Sequence, residues 1–356
     1  MQQSRRSLIA FGAVVALAAT LGIGFVFYKA VQRAVVPDRV GVSKVAAGAL
    51  STAPAASALD PAQAAVLYRH TASGDNGQGM VWRAALGSTG TPDQANAQPQ
   101  PSLRCNRSYF AGEQGLCLRS DFDGAWRTIV RVLRFDAANN VTELGQYPGI
   151  PSRTRVSRDG TRGAFTIFVV GHSYASAGFS TQTMLGQFDD PASWVPLETY
   201  QVFRADGSMW REIDFNFWGV TFTADSNVFY ATLGSGGHTY LVKGDMATRQ
   251  AHILREGVEC PSLSPDGTRL AFKHAVQPGF WSIHVLKLDT GEETALDAER
   301  RNVDDQIEWL DDSHVLYGLA SDRDPAAWDV WRLPIDGKDA PSLFLADAAS
   351  PAVVRP

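Results

Sequence analysis

The compact signatures by which a catalytic or metal centre is usually read are missing from this sequence. It holds no C-x-x-C pair, no H-E-x-x-H, no G-x-S-x-G and no glycine loop placed to cradle a phosphate. Gly234-Ser-Gly-Gly237 and Gly74-Asp-Asn-Gly77 are glycine-rich, but each lies between strand-like segments and reads as a turn. Basic charge is not in excess either: 32 Lys and Arg against 37 Asp and Glu give a formal charge of -5. No electrostatic footprint for nucleic acid follows from that balance. Cysteine is scarce, with three in 356 residues. Apart from residues 8–28, long apolar runs are absent. What is abundant is glycine (32), proline (18), phenylalanine (18) and tryptophan (9), the supply of a turn-rich all-β chain with a large core.

One phrase organises the chain. In Cys260-Pro-Ser-Leu-Ser264-Pro265-Asp266-Gly267-Thr-Arg-Leu270-Ala-Phe272-Lys273, two β segments flank a Pro-Asp-Gly turn. Proline presets φ, aspartate bonds its own backbone, and glycine accepts positive φ. Arg155-Val-Ser157-Arg-Asp159-Gly160-Thr-Arg-Gly-Ala-Phe165 repeats it closely, and weaker copies centre on Asp225, Asp311, Gly112 and Asp60. The turns recur mostly every ~40–50 residues, the period of propeller blades. Asp159 to Asp225 is the long gap and has room for an insertion. Third strands are expected at residues 81–86, 128–135, 199–204, 239–243, 281–288 and 328–333, with a fourth after each. The first unit lacks an innermost strand, and Ser350-Pro351-Ala-Val-Val354 resembles the opening of a unit. The prediction is an all-β, six-bladed β-propeller closed by a C-terminal strand.

Residues 8–28 carry no charge and are long enough as a helix to cross a bilayer core of about 30 Å. The run ends in Phe27-Tyr28-Lys29 without a small-residue cleavage site, which favours a retained signal anchor over a cleaved signal peptide. The expected organisation is a tail at 1–7, a transmembrane helix at 8–28, a linker at 29–57 and the propeller at 58–356. Cys105 and Cys117 fall on either side of the Gly112 turn, where a cross-strand disulfide is geometrically possible; two buried free thiols are the alternative. A persistent disulfide implies an oxidising compartment. Together with the Ser4-Arg5-Arg6 start, which loosely resembles a twin-arginine export motif, it favours a single-pass protein of the cell membrane with its propeller on the extracytoplasmic side.

The Ser264-Pro265-Asp266-Gly267-x-x-Leu270-Ala271-Phe272 hairpin resembles the TolB-like, or WD40-like, β-propeller repeat, over about residues 58–356. The resemblance implies a six-bladed propeller that binds partner proteins in the cell envelope. TolB proteins carry a separate N-terminal α/β domain; here an apolar segment and a linker stand in its place. The repeat is scaffold and transfers no catalytic residue.

Function is therefore sought on the face where second-to-third-strand loops emerge beside the connections between blades. The loops there are expected at residues 71–80, 120–127, 171–197, 233–238, 274–280 and 319–327. They bring His172, Tyr174, Phe179, His238 and His274, while the connections and innermost strands add Arg153, Arg155, Trp218, Glu259, Asp304 and Asp305. Three histidines from different blades can meet at a metal. Hydrogen bonds to neighbouring loops are the plainer role, so no metal and no cofactor is expected. Arg153 and Arg155 either face a ligand in the channel or pair with Asp304 or Glu259. Trp281 and Trp328 are expected to pack between blades. The leading reading is a monomeric scaffold for an envelope protein or peptide. The alternative is a propeller hydrolase or lyase using Asp121, Asp123, His172, His238 and His274. Two carboxylates about 5–10 Å apart in a funnel would favour glycosidase-like chemistry; an aromatic rim would favour protein binding.

Overall fold

The computed structural model describes residues 62–356 apart from 75–76, 170–179, 213 and 215. Within them the chain forms six sheets, one per repeat. The innermost strands are Ala348–Val354, Arg107–Ala111, Ile150–Val156, Asn216–Phe222, Glu259–Leu263 and Glu308–Asp311; each touches the next, closing a ring around a channel. The chain is a six-bladed β-propeller. The described residues contain no helix long and apolar enough to cross a membrane, and the expected anchor at 8–28 lies outside them, as does Asp60.

The repeated turn is built by its aspartate. The hydroxyl two residues earlier donates to the carboxylate: Ser157 to Asp159 at 2.6 Å, Thr223 to Asp225 at 2.6 Å and Ser264 to Asp266 at 2.5 Å. The amide two residues later donates to the same oxygen, from Thr161 at 3.0 Å, Asn227 at 3.2 Å and Thr268 at 2.9 Å. Gly267 then takes φ +73°, which glycine accepts without steric cost; Ser226 holds the equivalent place in blade four at +60°. Beyond each turn the second strand is apolar on both sides, as in Leu116-Cys117-Leu118 and Leu270-Ala271-Phe272, all buried. Each blade is covered by a neighbour on both faces, so polar alternation is lost.

Ala348–Val354 pairs antiparallel with Ala65–His70, setting Val354 opposite Ala65 and Ala348 opposite His70. The C-terminal segment thus supplies the missing inner strand of blade one. Cys105 and Cys117 are joined, with Cα atoms 5.4 Å apart. Cys105 lies in the connection just before Arg107–Ala111 rather than in a strand, and Cys260 is buried and free.

Blade three departs from the expected strand assignment. Its third strand is Ser180–Gln187, inside the stretch read as one long loop, and Gln201–Phe203 instead adds a parallel fifth strand to the outer edge of blade four. Small and polar residues hid the first of these. Thr181 and Thr183 are buried with their hydroxyls on the Phe217 carbonyl, at 2.9 and 2.5 Å, so their polarity is satisfied within the core. Gly186 lies under the Trp194 indole, where a Cβ would sit 2.3 Å from the ring.

Removing residues 349–356 should cost most of the domain's stability, on the order of the whole 5–15 kcal/mol typical of a domain, seen as loss of the cooperative thermal transition. A second expectation concerns acid. Burial raises the Asp266 carboxyl, but Ser264, Thr268 and Arg269 outweigh it and hold its pKa well below the usual carboxylate range. A depressed folded pKa stabilises above the unfolded value of about 3.9 and is lost as pH falls toward the folded one. D266N should therefore cost about 1 kcal/mol at pH 7, allowing for solvent screening. The gap should shrink at pH 3, compared by urea midpoints.

Candidate functional site: the mouth of the channel

At the loop-rich end of the ring the innermost strands enclose a cavity of about 300 Å³, its open mouth included. Arg107, Tyr109, Arg153, Arg155, Asp305 and Glu308 carry its chemistry. Innermost strands twist steeply round the axis, so alternate residues point into the channel. Arg153 and Arg155, separated by Thr154, both line it.

Arg155 is 5% exposed and pairs with Glu308 across the channel. Its Nη2 also donates to the Ser262 hydroxyl at 3.1 Å, and its guanidinium lies 4.5 Å from the Tyr109 ring centre. Burial disfavours the Arg155 charge, yet Tyr109 and Glu308 outweigh that and raise its pKa. The other oxygen of Glu308 accepts from the Tyr109 hydroxyl at 3.2 Å, the Val353 amide at 3.4 Å and Arg355 at 3.4 Å. This is a closed, satisfied network. Arg155 is thus a structural member of the wall.

Arg153 is different. Its Nη1 donates to the neighbouring Ser152 carbonyl at 2.9 Å, and its Nε is buried without a hydrogen-bond partner. Burial disfavours its charge, but Cys260, Asp305 and Asp304 outweigh that and raise its pKa. The nearby carboxylates are engaged elsewhere: Asp305 by Arg107 at 3.0 Å and by the Gly318 amide at 3.2 Å, Asp304 by Lys273 at 2.6 Å. Neither Asp304 nor Glu259 pairs with an arginine of the channel, as had been one expectation; Glu259 accepts from the Trp281 indole at 3.0 Å. Among the groups lining the cavity, three guanidiniums face two carboxylates, and Arg153 is the one left over.

Around this mouth the second-to-third-strand loops carry apolar side chains in solvent. Trp126 is 76% exposed and Phe122 47%, both in blade two; Val276 is 60% exposed in blade five and Trp328 38% in blade six. The Trp328 indole is thus partly exposed rather than packed away between blades as expected; Trp281 is half-buried, with Lys273 Nζ of its own blade 4.5 Å from its ring centre. The acid/base pair considered for a hydrolase is tied up in ion pairs: Asp121 with Arg131 at 2.7 Å and Asp123 with Arg127 at 2.7 Å.

Of the remaining expected residues, Trp218 is buried against Gly234, where a Cβ would lie 2.6 Å from the indole, and serves packing. His238 pairs with Glu256 at 2.6 Å, and His274 stacks on His284 at 4.4 Å. These two histidines thus have different partners. His172, Tyr174 and Phe179 lie outside the described residues. Sequence reasoning missed Arg107, Tyr109 and Glu308. Glu308 did leave a signal, as a charged residue set between the apolar Ile307 and Trp309 at the start of an innermost strand.

R155M or E308Q should each destabilise the ring by about 3–5 kcal/mol, because each strands a buried partner. The double variant R155M/E308L should recover much of that loss, measured by urea unfolding.

No protein-family model matches the sequence, and no curated protein matches it. Solved structures do match in fold. TolB from Acinetobacter baumannii aligns with a TM-score of 0.58 at 14% identity, over 83% of this chain and 67% of that one. The Nidogen/Laminin complex aligns at 0.54 and 10% identity, over 82% and 98%. Kuenenia stuttgartiensis hydrazine synthase aligns at 0.53 and 9%, over 83% and 47%. The likeness is one of fold, and it agrees with the TolB-like repeat read at Ser264–Phe272.

Proposed function

We propose that this chain is a membrane-tethered, extracytoplasmic propeller that binds an envelope protein or peptide at the channel mouth. Arg153 is the anchor point for an acidic side chain or a terminal carboxylate of the partner. The observation that carries the reading is the surplus guanidinium in the cavity. An ionised partner placed there gains a charge-assisted hydrogen bond worth about 1.5–3 kcal/mol. The exposed Phe122, Trp126, Val276 and Trp328 supply apolar contact around it, and aromatic anchors of this kind commonly dominate binding energy. The Cys105–Cys117 disulfide supports an oxidising compartment, and the uncharged run at 8–28 supports the tether.

The test is co-purification of the full chain from its own membrane, followed by affinity measurement with each protein recovered. R153E should weaken binding at least ~30-fold, about 2 kcal/mol, and W126A by a comparable amount. Deleting residues 171–179 probes the expected loop contribution on the same face. Partners retained at full affinity in R153E and W126A alike would overturn the assignment of this face.

A further inference from the structure

We propose that His274, His284 and Glu293 form a binding site for a divalent transition metal, zinc first, on the side of blade five that faces blade four. The three residues come from three successive strands, Arg269–Gln277, Phe280–Lys287 and Glu293–Ala295. In the register His274 lies opposite Ser282, and His284 lies opposite Phe272 and Ala295. The two histidines are thus diagonal neighbours on one face of the sheet, with Glu293 reaching the same point from the third strand.

Their donor atoms all lie within 4.8 Å of one another, the one such group of three among the described residues. Glu293 Oε1 is 2.6 Å from His284 Nδ1 and 3.9 Å from His274 Nδ1. Tetrahedral zinc with ligands at about 2.0–2.1 Å sets donor atoms roughly 3.3 Å apart. One spacing has to open and the other to close by well under the reach of a rotamer adjustment. Two imidazoles and one carboxylate are a donor set that suits zinc and its neighbours in the first transition row.

The surrounding contacts orient these donors. The Ser282 hydroxyl lies 3.0 Å from His284 Nε2, which directs Nδ1 toward Glu293. Arg255, from the fourth strand of blade four (Gln250–Glu256), holds the second oxygen of Glu293 and leaves the first for a metal. The His274 side chain is 40% exposed, so a path from solvent exists and a water can complete the coordination. The site differs from the three-histidine centre considered from sequence: of that set it uses His274 alone.

The test uses the full chain with cobalt(II) alone, then zinc(II) in competition. The expected result is one equivalent of cobalt with the visible absorption of a four-coordinate ion, displaced by zinc. H274A, at a partly exposed position, should keep the wild-type melting temperature without metal and weaken zinc binding at least tenfold; H274A/E293Q should abolish it. The inference is overturned if cobalt binds without saturation at one equivalent. It is equally overturned if the double variant binds zinc as tightly as wild type, or if binding is lost in H172A.

Discussion

A single buried carboxylate, that of Glu308, holds opposite walls of the channel together. It belongs to blade six, yet its partners are Arg155 of blade three, Tyr109 of blade two, and the Val353 amide and Arg355 guanidinium beside blade one. Through Arg155 the network reaches Ser262 of blade five. Most other polar contacts between blades join adjacent sheets, as Thr181 and Thr183 do to the Phe217 carbonyl and Arg255 to Glu293. A charge in this position is tolerable only because both carboxylate oxygens are paired. That requirement restricts how the inner strands can be set against one another, so the network specifies register across the ring at little net gain in stability.

The same wall explains why the cavity divides into two kinds of residue. Arg155, Glu308 and Tyr109 are saturated by one another, and Arg107 is taken up by Asp305. Arg153, two residues from Arg155 on the same strand, has no such partner. The channel has to be sealed, and among the described residues it is also a place where side chains of several blades converge. The structural and binding demands are met by adjacent alternate residues of one strand.

How much of this was legible in the sequence depends on whether the determinant was local. The Ser-x-Asp-Gly turn is local: its hydrogen bonds join residues two to five apart, so the repeat count and the closing strand at Ala348–Val354 could be read directly. The third strand of blade three could not. Ser180–Gln187 carries Thr181, Thr183 and Gly186 at positions buried by distant partners, Phe217 and Trp194, and small polar residues look like loop when those partners are unseen. Cross-channel pairing was illegible for the same reason. Asp304 and Glu259 were reasonable partners for the arginines by charge, but Lys273 and Trp281 lie closer to them. The histidines illustrate the rule again: the His284 and Glu293 neighbours of His274 follow from register, which the sequence alone does not show.

The seam between Ala65–His70 and Ala348–Val354 joins segments separated by nearly the whole domain. Such a non-local pairing is slow to form. As the chain emerges from the ribosome, blade one has a sheet edge with Val66 and Leu67 uncovered until its final strand is made. An edge of that kind is a template for mispairing with other chains. Pairing Ala65–His70 with Ala348–Val354 is thus the step that removes this edge and protects the domain from such mispairing.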